Sequence, residues 1–200
     1  SGVGMAFEKP KKQNMPTLRP EELPKLMRSL IMSNLYIPTR CLIEWQLLTL
    51  VRPSEASGSR WAEIDLDAKL WTIPAERMKA KREHRIPLPR QAVELLRKQP
   101  RIVGAELVFP SSRNTPLSDM TLTAVMRRLK RTEVPHGWRS TFRDWVGDCT
   151  DYPSELAEIA LAHSVGSKVE QAYRRGDMLE KRRPLMQEWA DLSDAWRKGA

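Results

Sequence analysis

The stretch from Ile37 to Val51 constrains the fold of this chain more than any other part of it. Leu42, Ile43, Trp45, Leu47, Leu48 and Leu50 do not keep to one stripe at helical spacing but cover much of a helix's circumference. A helix that is apolar nearly all round has to be surrounded, so the run predicts a buried core helix with other elements packed about it. It is shorter than the ~18 apolar residues a membrane span requires. Its end is expected at Arg52-Pro53, where the proline biases Arg52 away from helical backbone geometry.

What surrounds that helix is also mostly helical. The first twenty residues, rich in Pro, Lys and Gly without a sustained period, read as a linker or arm over 1–19, with the folded domain over 20–200. No secretory signal opens the chain, and Ser1-Gly2 reads as a cleavage scar, which suggests an isolated domain. Pro20-Glu21-Glu22 suits a helix N-terminus, because Pro tolerates the first turn and acidic residues complement its dipole. After Pro53 the character changes. Residues 61–67, 70–74 and 84–88 are short and β-rich, with a tight turn at Asp67-Ala68-Lys69. A very basic connection, Arg77-Met-Lys-Ala-Lys-Arg82, precedes the third segment. These features predict a small three-stranded antiparallel sheet with an exposed, positively charged hairpin. Helical patterns return over 91–99, 120–129 (with Ser118 as N-cap), 138–149, 153–162, 167–174 and 178–196. In the last of these, Leu185, Trp189, Leu192 and Trp196 form a stripe that covers either the chain's own core or a neighbouring subunit. The fold class is therefore α+β, mainly α-helical.

Lys and Arg outnumber Asp and Glu by 34 to 25, a formal charge of +9. Such an excess suits a polyanionic partner, because each neutralised phosphate releases condensed counterions. A mean hydropathy of −0.53 with 30% charged residues fits a water-soluble protein. Two cysteines, Cys41 and Cys149, are too few for a disulfide framework. Both are expected to be buried thiols in a reducing cytoplasm. Several chemistries drop out. Three histidines and two cysteines, widely scattered, show no zinc-ligand spacing. Gly166-Ser167-Lys168 echoes a phosphate-binding loop, but position 161 is Leu where the first glycine belongs.

What remains is a set of basic residues followed by a tyrosine. Arg52 sits at the break after the core helix, a rigid place from which to present a guanidinium. His136 and Arg139 lie three apart at a helix start, where side chains share a face and the helix terminus favours an anion. His163 closes a helical segment, and Tyr173 follows ten residues later. Singly, each has a bland explanation in packing or capping. Their order is what carries weight.

In that order the chain resembles the catalytic domain of tyrosine recombinases of the phage-integrase type. Thr49-Leu-Val-Arg-Pro-Ser-Glu55 looks like the family's first arginine box, and Gly58-Ser-Arg-Trp-Ala-Glu-Ile-Asp65 like the start of its small sheet. Met78-Lys79 followed by His84-Arg-Ile-Pro-Leu88 resembles the hairpin of its catalytic lysine. His136-Gly-Trp-Arg139, Leu161-Ala-His163 and Ala172-Tyr173 resemble the remaining boxes. The tail from Leu179 is most similar to prophage and genomic-island integrases. Two departures are visible: Trp138 where phenylalanine is more usual, and Ala162 where glycine is common.

The resemblance implies DNA cleavage and religation through a 3′-phosphotyrosine at Tyr173. Arg52 and Arg139 would clamp the non-bridging oxygens, and His163 would add a hydrogen bond. His136 would help deprotonate the tyrosine, and Lys79 would protonate the leaving 5′-oxygen. Lys79 and Lys81 share the basic connection, and its plainer reading is a solvated hairpin touching DNA without catalysis. No metal, ATP or other cofactor is implied. The implied partners are double-stranded DNA attachment sites, with a monomer alone and a tetramer on DNA. A non-catalytic DNA-binding regulator and a type IB topoisomerase are the alternatives.

Overall fold

The computed structural model describes residues 18–101, 103–131, 137–166 and 176–199. Residues 1–17 of the expected arm over 1–19 lie outside them. Chain packing starts by Leu18, which is buried and whose carbonyl accepts from the Thr141 hydroxyl at 2.8 Å. Among the described residues there are eight α-helices and one sheet.

Helix α1, Leu23–Ile31, buries Leu23, Leu26, Met27 and Leu30, an i, i+3, i+4, i+7 stripe. Helix α2, Ile37–Thr49, is the expected core helix, buried at nine positions including Trp45 and Gln46. It stops earlier than Arg52-Pro53 suggests. Leu50 takes a left-handed backbone (φ 58°) and its N–H still reaches the Gln46 carbonyl at 2.8 Å. Arg52 is extended (φ −68°, ψ 152°), as the residue before a proline should be. Pro53 then opens a short helix the pattern did not foretell, α3, Pro53–Ser57. A proline at the first helical position loses nothing, since its missing N–H would have gone unpaired there.

The sheet is three-stranded and antiparallel in the order β1 (Ile64–Asp65), β2 (Leu70–Ile73), β3 (His84–Pro87). Trp71 pairs with Ile64 on one side and Ile86 on the other. The first strand is shorter than expected because Trp61–Glu63 coils into a 3-10 turn. The turn before β2 is held by Asp65, whose Oδ1 accepts the N–H groups of Asp67 and Ala68, and Lys69 is left-handed (φ 51°).

Five further helices complete the layers: α4 Arg90–Arg97, α5 Asp119–Arg128, α6 Trp138–Cys149, α7 Ser154–Ala160 and α8 Leu179–Ser193. Ser118 caps α5 as expected, its Oγ accepting the Thr121 N–H at 3.3 Å. The expected helix at 167–174 lies outside the described residues. Helix α8 packs against β3, α1, α2, α4 and α7. The expected stripe therefore covers the chain's own core: Leu185 and Trp189 are fully buried and Leu192 partly so, while the helix ends at Ser193 and Trp196 packs against the same cluster from a 3-10 turn, Ala195–Gly199. Trp189 donates its indole N–H to the Leu47 carbonyl at 2.9 Å, tying α8 to α2. Trp45 and Trp71 meet at 4.9 Å, which joins the core helix to the sheet.

The two cysteines are free thiols, but only Cys41 is buried; Cys149 is exposed. It is the last residue of α6, beyond Val146, the last residue that helix buries. No described helix is long and apolar enough to cross a membrane.

Candidate active site

Two helix ends and one helix start converge on Arg139. Helix α7 ends in a left-handed cap: the His163 N–H bonds to the Glu158 carbonyl at 2.9 Å and the Ala162 N–H to the Ile159 carbonyl at 3.0 Å, with Ala162 at φ 53°. That arrangement leaves the Leu161 carbonyl without a helical partner. The left-handed end of α2 does the same for Leu50. Arg139, second residue of α6, donates to both, to Leu161 O from Nη2 at 2.6 Å and to Leu50 O from Nη1. Its Nη2 also lies 3.0 Å from His163 Nε2. Three of the five guanidinium N–H groups are thereby engaged among the described residues.

Arg52 stands at the start of α3, its side chain about one-fifth exposed. Glu55 holds it twice, accepting the backbone N–H at 3.0 Å and Nη1 at 3.1 Å. Burial first, and then the nearby Arg52 charge, push the Arg139 guanidinium down to about 10. It remains a cation at neutral pH, and two cations held this close favour an anion between them.

His163 closes the third side. Its Nδ1 lies 2.6 Å from Glu158 Oε2, and the other oxygen of that carboxylate is 2.6 Å from Arg143 Nε. Arg143 is one turn after Arg139 on α6, so a single helix face supplies both arginines.

The basic hairpin faces the same region. Met78 is buried as an anchor, while Lys79, Lys81 and Arg82 are exposed. Residues on both sides of Lys79 line a cleft of about 270 Å³ together with His163, Ala162 and Asp177. The hairpin's base is braced by Arg77, which donates to the Glu63 carboxylate and, at 2.9 Å, to the Glu55 carbonyl. Glu63 also accepts the Trp71 indole N–H at 3.0 Å. On β3, His84 donates from Nε2 to the Ala160 carbonyl at 3.2 Å, and burial pushes it down to about 3, so it is a neutral strut between sheet and α7.

The structure thus brings Arg139 and His163 into contact with the Arg52 charge nearby, and leaves Lys79 exposed on the hairpin whose residues 78 and 80 line a cleft with His163. His136 and Tyr173 lie outside the described residues. Of the other two tyrosines, Tyr36 is exposed in the α1–α2 connection. Tyr152 donates to Glu188 at 2.7 Å, and burial with that bond pushes its hydroxyl up to about 12, away from nucleophilic duty. Sequence reasoning missed Glu158, Arg143, Arg77 and Glu63. A Glu five residues before a histidine at a helix end was the one available signal. Among the described residues no group of three His, Cys, Asp or Glu side chains is placed to hold a metal ion.

Residues 16–180 match the family described as the Phage integrase family. The chain belongs to it. A prophage integrase of Escherichia coli K12, IntA, is 44% identical over 99% of this chain and 49% of its own length. The integrase of Enterobacteria phage P4 is 34% identical over 97% of this chain and 49% of its own length. The chain spans about half the length of these relatives. Among solved structures, the integrase of mycobacterium phage Brujita superposes with a TM-score of 0.68 at 17% identity, covering 96% of this chain and 63% of its own. A lambda integrase tetramer bound to a Holliday junction gives 0.59 at 22% identity, over 79% of this chain and 49% of its own. The fold is thus shared with these solved integrases. In this integrase-family chain the departure at Ala162 falls on the left-handed position of the α7 cap.

Proposed function

We propose that this chain is the catalytic part of a tyrosine-type site-specific recombinase acting on double-stranded DNA attachment sites of a prophage or genomic island. The observation that carries the reading is the convergence of Arg52, Arg139 and His163 on one anion-demanding point in a phage-integrase fold. A phosphodiester there would lie between two guanidinium groups, which are suited to gripping non-bridging oxygens and stabilising charge as it develops. His163 joins them once Nε2 carries a proton. Tyr173 Oη attacks phosphorus and forms a P–O bond as the bond to the 5′-oxygen breaks. The departing electron pair is met by a proton from Lys79, and the tyrosine's own proton passes to His136. Attack by a 5′-hydroxyl reverses the steps and releases Tyr173. The phosphotyrosyl link conserves the energy of the broken bond, so the chemistry calls for neither ATP nor metal.

The exposed, long side chains of Lys79, Lys81 and Arg82 suit a hairpin that meets the backbone of the duplex. We further propose a monomer in the absence of DNA, a tetramer on paired sites, and a cytoplasmic setting. The test is covalent trapping on nicked suicide DNA bearing a candidate attachment site, compared with Tyr173→Phe on a denaturing gel. An adduct that vanishes in the variant is the expected result. An adduct that persists, or none from a full-length relative carrying these residues, would refute the proposal.

A further inference from the structure

Glu158 takes no part in the steps above, yet it grips His163 twice. Its backbone carbonyl accepts the His163 N–H at 2.9 Å, and its Oε2 lies 2.6 Å from Nδ1. On the far side of the ring, Nε2 faces Arg139 Nη2 at 3.0 Å. A guanidinium only donates, so Nε2 accepts in the DNA-free protein, and the ring's single proton sits on Nδ1, where Glu158 accepts it. Arg143 holds the second carboxylate oxygen at 2.6 Å and keeps Glu158 from turning away.

We infer that Glu158 is a positioning residue that fixes the tautomer and orientation of His163, so that Nε2 is the atom presented to the phosphate. The inference rests on the proposed reaction for its purpose, but its geometry stands without DNA. The carboxylate accepts Nδ1–H whether or not Nε2 is protonated, so the same ring edge serves before and after phosphate arrives. Without it, the ring could turn over and present a carbon, or carry its proton on the wrong nitrogen. The cap at Ala162 supplies the rest of the device, because it folds the chain back so that residues five apart meet side chain to side chain.

The experiment uses the whole chain with Glu158→Ala and Glu158→Gln, read in two ways. Long-range proton–nitrogen NMR spectra of the DNA-free protein at mildly alkaline pH report the tautomer, with the His163 signals assigned by their loss in His163→Ala. The Nδ1–H form is expected in the parent and in Glu158→Gln, whose amide oxygen still accepts, and a shift toward Nε2–H in Glu158→Ala. Adduct formation on suicide DNA is the second readout. Glu158→Ala should slow it about tenfold or more, by analogy with the cost of removing a carboxylate that orients a metal-ligating histidine. Glu158→Gln should recover most of that rate. In a His163→Ala background the same Glu158→Ala change should cost less than about twofold, since its effect runs through the missing ring. An unchanged tautomer, or equal slowing in both backgrounds, overturns the inference. If the parent forms no adduct, that result bears on the proposed function, to be decided with a full-length relative, and the spectra alone decide the role of Glu158.

Discussion

Replacing Ala162 by glycine should stabilise this protein, although the same change one turn earlier in the helix should do the reverse. Ala162 sits at φ 53°, where its Cβ crowds the following carbonyl. A left-handed backbone costs an L-residue roughly 1–2 kcal/mol. Glycine escapes that cost but gives back about 0.4–1 kcal/mol through the greater freedom of its unfolded chain. The lost methyl contact is small, because Ala162 is only half-buried. The net is a gain of about 0.5–1 kcal/mol, which for a domain of this size raises the melting midpoint by about 1–4 °C. Ala157, buried inside α7, is the control: glycine there should cost about 1 kcal/mol from propensity alone, before lost packing. Thermal and urea unfolding of both variants measure the contrast. A fall at Ala162→Gly as large as that at Ala157→Gly would refute a left-handed cap at this position, and with it the turn that places His163.

Arg139→Lys removes the fork that satisfies two buried carbonyls, Leu50 and Leu161, so it should cost about 2–4 kcal/mol of stability in urea unfolding besides abolishing the adduct. His84 is held down to about 3 by burial, against about 6.5 in the unfolded chain. Its folded value is the lower one, so the unfolded state binds more protons between the two. Stability should be full above that window and fall as pH drops through it, by up to about 1.4 kcal/mol per unit. Chemical unfolding between about pH 5 and 6.5 checks this, and His84→Gln, which keeps a donor for the Ala160 carbonyl, should flatten the dependence. Asp177 bridges Arg85 and the fully buried Arg182, and those two partners hold its carboxyl below the usual range despite burial. Asp177→Asn should therefore cost about 3 kcal/mol by leaving Arg182 without a countercharge, with urea unfolding as the measure.

The parts of the fold that sequence disclosed are those where local chemistry and burial agree. Helix α2 is apolar all round because it is surrounded, and α6 begins and ends where its pattern does. The Ser118 cap needs only its own four residues. The parts that stayed hidden depend on partners distant in the chain. The α2 end at Leu50 and the α7 end at Ala162 carry no glycine or asparagine, the residues that usually announce a left-handed turn. Both are held by Arg139, whose position opposite them no local pattern reveals. Cys149 looked buried because it follows Trp145 and Val146 by one turn of a helix, but Val146 is the last residue that α6 buries. Arg52, Arg139 and His163 were legible as members of an ordered set of boxes, and the structure adds their convergence. Glu158 and Arg143 were not, since an ion pair between two helices leaves no periodic trace.

If Arg139 serves the proposed reaction as well as the fold, that double employment has a consequence for how such proteins decay. A descendant that no longer cuts DNA would still need this arginine to join the ends of α2 and α7, so selection for folding alone would preserve it. Lys79 carries no such obligation, being exposed on a turn whose anchoring falls to Met78 and Arg77. Loss of function would therefore be written first at Lys79 and last at Arg139. In a survey of relatives, an intact arginine would then testify to a stable protein, and an intact lysine, on the proposed reaction, to a working one.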